Sequence, residues 1–78
     1  PEDKILIYYK GRFFDRELKP AEPKAPQAGG RVILALSPEI SVKEALDARA
    51  KVKTPNLIVS TLDERWLKTL RSMPHVDR

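Results

Sequence analysis

The chain has no cysteine. No disulfide can staple it and no thiolate can hold a metal, so so short a fold must rest on its apolar core. The absence fits a reducing compartment, and a cytoplasmic location is expected. Asparagine, glutamine and methionine occur once each while 33 % of residues are charged, a balance resembling that of thermophile proteins. The one histidine, His75, lies beside the C-terminal end, a poor place for the base of a nucleophilic site. No apolar run approaches the roughly 18 residues of a membrane span, and no charged-then-apolar leader pattern is recognisable. No membrane partner is expected.

Chemical motifs are equally scarce. Neither glycine-rich phosphate-binding pattern, G-x-x-x-x-G-K-[ST] or G-x-G-x-x-G, occurs. Glu2-Asp3 and Asp63-Glu64 are adjacent acids, but the second pair falls where a helix starts, and acids there complement the helix dipole. Asp15, Glu39 and Asp63 fall near predicted strand ends without the spacing of a metal centre. The expectation is therefore a protein that is not an enzyme, with no catalytic residues, no metal ligands and no cofactor.

What remains is a pattern of short elements. At 78 residues there is room for one small domain spanning 1–78, and a chain of this size buries only about 60 % of its unfolded surface. Residues 1–18 read as a β-hairpin. Ile5-Leu6-Ile7-Tyr8-Tyr9 is β-branched and aromatic with both alternating faces apolar, as in a central strand. Lys10-Gly11 supplies a two-residue turn. Arg12 to Leu18 forms the return strand, its charges suiting an edge.

Residues 19–30 form a Pro/Gly-rich connecting arm. Pro20, Pro23 and Pro26 repeat at the period of polyproline II, and Gly29-Gly30 supplies a hinge. This segment is expected to be unpacked.

Residues 31–78 read as a β-α-β-α unit. Arg31-Val32-Ile33-Leu34-Ala35-Leu36 is a buried strand. Ser41-Val42-Lys43-Glu44 is a capping box opening a helix with Val42, Ala45, Leu46 and Val52 inward. Thr54-Pro55 stops that helix. Asn56 to Ser60 is another apolar strand. Thr61-Leu62-Asp63-Glu64 is a second capping box, opening a helix with Leu62, Trp66, Leu67, Leu70 and Met73 inward. Pro74 ends it, and His75-Val76-Asp77-Arg78 could start a last strand. Strands joined through a helix should run parallel. The fold class expected is α+β, with the hairpin and the β-α-β-α unit sharing a mixed four-stranded sheet with two helices.

Function is less legible. The net charge is +4, with an isoelectric point near 9.6, which permits binding to phosphate backbones or acidic partners. Tyr8 and Phe13 lie among Lys10, Arg12 and Arg16, and aromatic faces beside cations can stack on bases while the cations meet phosphates. Lys51 and Lys53 would add backbone contacts. The leading expectation is thus a small basic regulatory protein that binds nucleic acid. The alternative is a protein–protein interaction module, whether inhibitor, subunit, assembly adaptor or homodimer, working through the proline arm and a strand edge. The direction of the Tyr8 and Phe13 rings discriminates: rings facing solvent favour nucleic acid, buried rings favour assembly.

Overall fold

A computed structural model describes residues 3–24 and 30–73. The elements are β1 (Asp3–Tyr9), β2 (Arg12–Phe14), β3 (Arg31–Leu36), α1 (Val42–Lys51), β4 (Leu57–Thr61) and α2 (Glu64–Ser72). The four strands make one mixed sheet in the order β2-β1-β3-β4, the α+β architecture expected from the sequence. β1 and β3 occupy the centre and run parallel, from Asp3 opposite Arg31 to Tyr8 opposite Leu36. β4 joins β3 in parallel, and β2 joins β1 antiparallel.

Successive strand residues point to opposite faces, so the apolar runs of β1 and β3 require cover on both sides. α1 covers one face, where Leu6, Tyr8, Phe13, Val32, Leu34 and Leu36 meet Ala48 and Val52. α2 covers the other, where Ile7, Phe14 and Ala35 meet Leu62, Leu67 and Leu70. Trp66 and Met73 pack at the margin of this second cluster.

The β1–β2 turn is the two-residue loop read from the sequence, with Tyr9 opposite Arg12. Lys10 and Gly11 both have positive φ, 49° and 81°, as a turn matching the right-handed strand twist demands. β2 is shorter than expected, ending at Phe14 rather than Leu18. The Asp15 carboxylate accepts hydrogen bonds from the backbone N–H of Glu17 at 2.9 Å and of Lys19 at 3.0 Å. This local turn competes with the ladder, and Leu18 takes φ 64° to complete it.

The chain then doubles back along β2. Pro20 bridges Phe14, and the Ala21 N–H donates to the Phe13 carbonyl at 3.0 Å. Lys4 Nζ donates to the Lys24 carbonyl at 2.7 Å. The first part of the arm is therefore docked, contrary to the unpacked expectation. Proline removes a donor there but leaves carbonyls and neighbouring N–H groups to pair. Pro26, the Gly29 hinge and the terminal strand suggested at His75–Arg78 lie outside the described residues.

Ser41 caps α1, its Oγ accepting from the Glu44 N–H at 3.1 Å. The inward stripe is Ala45, Ala48 and Val52. Val42 and Leu46, expected inside, are 77 % and 55 % exposed. At 3.6 residues per turn they fall on a flank of the stripe, and the sheet takes the alanine side. The second capping box also moves. Thr61 stays in β4 opposite Leu36, so Asp63 caps α2, accepting from the Arg65 N–H at 2.7 Å.

Two exposed ion pairs tie separate segments together, one between neighbouring strands and one from α2. Asp3 receives two hydrogen bonds from Arg31, at 2.8 and 2.9 Å, which hold its carboxyl below the usual range. Arg71 on α2 donates to Glu39 before α1 at 3.0 Å. No helix among the described residues is long and apolar enough to cross a membrane.

Two substitutions separate backbone from packing contributions. A Cβ at Gly11 meets nothing within 4 Å, so Gly11→Ala should cost about 1–2 kcal/mol from its left-handed φ alone. Leu67 is fully buried, and Leu67→Ala should cost about 2–5 kcal/mol through the cavity it leaves. Urea denaturation of both variants checks the order.

Candidate interaction surface

The expected nucleic-acid residues are not brought into one surface. Tyr8 and Phe13 are 4 % and 8 % exposed. Their rings meet edge to face, 5.1 Å between centroids at 64°, an arrangement worth about 0.5–1.5 kcal/mol beyond area burial. Both sit among Leu6, Val32 and Leu34 under α1, so neither presents a face on which a base could stack. Covering the sheet needs large apolar side chains at these alternate positions, and that demand recruits both rings.

The cations are exposed but divided. Lys10 lies in the hairpin turn at the carboxyl end of β1, Arg12 directly follows the turn, and Arg16 follows β2. Lys51 ends α1 and Lys53 follows it, before β4 begins. Because α1 returns the chain from the carboxyl end of β3 to the amino end of parallel β4, these lysines sit at the opposite end of the sheet from Lys10.

Near the carboxyl ends of β1 and β3 is a cleft of about 150 Å³, lined by Tyr8, Tyr9, Lys10, Ser37, Glu39 and Glu44 among others. Its polar groups are already engaged with one another. Glu39 is held by Arg71, and the Ser37 hydroxyl accepts from the Glu39 N–H at 3.2 Å. The Tyr8 phenol lies beside the Glu44 carboxylate. Burial pushes the Tyr8 phenol above its usual value of 10.0, and Glu44 pushes it further. This is a satisfied polar rim over the core. Among the described residues, no three His, Asp or Glu side chains converge as metal ligands would.

The other unusual surface is β4, which sequence reading treated as one more apolar strand. Among the described residues it is one of the two edges of the sheet. Ile58 and Val59 are 41 % and 45 % exposed, on opposite faces. The Val32 N–H donates to the Asn56 carbonyl, and the Leu62 N–H to the Leu36 carbonyl. Backbone direction alternates along a strand, so residues 56, 58, 60 and 62 turn their N–H and C=O toward β3. Leu57, Val59 and Thr61 turn theirs outward.

Leu57 packs on the α1 side and Leu62 on the α2 side, which puts Val59 on the α1 side and Ile58 on the other. Glu44 and Asp47 both act on Tyr8 of β1, which fixes the flank of α1 facing β1. At 3.6 residues per turn Val42 and Leu46 fall on the opposite flank, the side of α1 away from β1. The α1 side of the sheet thus exposes two apolar helix side chains, Val42 and Leu46, together with Val59 of an uncharged edge strand. The five residues Leu-Ile-Val-Ser-Thr carry no charge in a chain that is one-third charged. That contrast was visible in the sequence, but nothing there marked the strand as an edge.

The Tyr8–Glu44 pair has a measurable consequence. A raised folded-state pKa means the stability Tyr8 contributes is fully present below pH 10 and is lost as pH rises through the folded value. Glu44→Gln should lower the Tyr8 pKa toward 10 and shift alkaline unfolding to higher pH, read by tyrosinate absorbance and circular dichroism. A phenol that titrates unchanged in the variant contradicts the contact. No family model matches this chain, and no curated protein or solved structure matches it significantly.

Proposed function

We propose that this protein is a protein–protein interaction module that recruits its partner by strand addition at β4. The observation carrying this reading is the contrast between the two sheet edges. The β2 edge is three residues long and is covered by the chain at Pro20 and Ala21. The β4 edge offers the outward backbone groups of Leu57, Val59 and Thr61, flanked by exposed Ile58 and Val59. Edges that must stay unpaired are usually blunted by lysine, proline or a bulge, and β4 has no charge or proline. In strand addition the main chain supplies affinity and alternate side chains supply specificity. The docked part of the proline arm acts as cover for β2 rather than as the recognition element.

Phosphate binding is the second reading, favoured by the net charge of +4 and by exposed Lys10, Arg12 and Arg16 around the hairpin. It would work through backbone contacts without ring stacking.

A capped peptide of alternating valine and threonine, with terminal lysines for solubility, separates the two when titrated into dilute isotope-labelled protein. The amide signals of Leu57, Val59 and Thr61 should shift while those of Arg12 and Phe14 stay in place. Shifts at β2 alone, or none, overturn strand addition. An oligonucleotide titration tests the second reading: hairpin signals should move and affinity should fall steeply with salt. Binding that ignores salt rules out phosphate contacts.

A further inference from the structure

We infer that the strand received at β4 is β4 of a second copy, paired antiparallel about a two-fold axis at Val59. This rests on the reading of β4 as a strand-recruiting edge and names its partner. The register follows from the backbone. Leu57, Val59 and Thr61 all turn their N–H and C=O outward, and an antiparallel pair uses all three only with Val59 opposite Val59 and Leu57 opposite Thr61. A two-fold axis makes such an interface self-complementary.

Charge permits the approach. Each copy carries +4, yet no charged side chain lies within Leu57–Thr61, so no like charges face each other along the paired strands. The side chains also match. The two Val59 residues meet on the α1 face, the face on which each copy also exposes Val42 and Leu46. Ile58 faces Ser60 of the partner strand on the α2 face.

Area decides whether strand pairing is enough. A stable dimer buries roughly 1,200 Å² or more in total, and two five-residue strands side by side fall short of that. Val42 and Leu46, exposed on the same face as Val59, are the apolar surface available to extend the interface.

Sedimentation equilibrium over a concentration series tests the pairing. The wild-type mass should rise from one protomer to two, and added salt should hold or strengthen the dimer by screening the +4 charges. Val59→Lys and Val59→Glu should each be monomeric with unchanged circular dichroism. Mixed together they should form a 1:1 heterodimer, because only a two-fold pair sets residue 59 against itself. Leu46→Lys, on an exposed helix position, should weaken the dimer independently. A wild type that stays monomeric, or a dimer that persists in both Val59 variants, overturns self-pairing. The peptide titration can still succeed in that case, so strand addition survives or fails separately. Variants that are monomeric singly and stay so when mixed overturn the two-fold register.

Discussion

Everything in this fold depends on the parallel pairing of β1 with β3. Their side chains alternate between two faces, and both faces are apolar: Leu6, Tyr8, Val32 and Leu34 on one, Ile7 and Ala35 on the other. A strand pair of that kind must be covered twice. With one helix per face, cover extends over the two central strands and thins at the margins. The edges are therefore where the chain had to find other solutions.

It found different solutions on the two sides. At β2, the Asp15 turn ends the ladder early and sends Pro20 and Ala21 back along the strand, closing the edge with the protein's own chain. At β4, neither a helix nor a loop among the described residues does the same. α1 leaves Val42 and Leu46 in solvent, and β4 keeps apolar side chains on both faces. In a domain this small, where the core contributes little surplus stability, a shared edge would let two copies complete each other's cover.

Much of the architecture was readable because it follows from short-range rules. Alternation in Ile5–Tyr9, glycine at position 11, the Ser41 cap and the period of Trp66, Leu67, Leu70 and Met73 all act within a few residues. The failures arose where a local pattern had two compatible outcomes. Val42 and Leu46 fit an inward stripe as well as Ala48 does, and only the packed sheet chose the alanine side. Thr61 could cap a helix or extend a strand, and pairing with Leu36 chose the strand. Tyr8 and Phe13 fit stacking and core equally, since an aromatic ring serves both until its neighbours are known.

The amino-acid sequence alone determined the element order, the mixed sheet, the hairpin turn and the absence of cysteine chemistry, because these depend on local backbone preference and composition. Only the tertiary structure decided which rings are buried, that the hairpin cations and the Lys51–Lys53 pair lie at opposite ends of the sheet, and that β4 is an open edge among the described residues. Strand order is a long-range property: it depends on which strands meet across a crossover, and no residue in Leu57–Thr61 records which side of the sheet it will occupy.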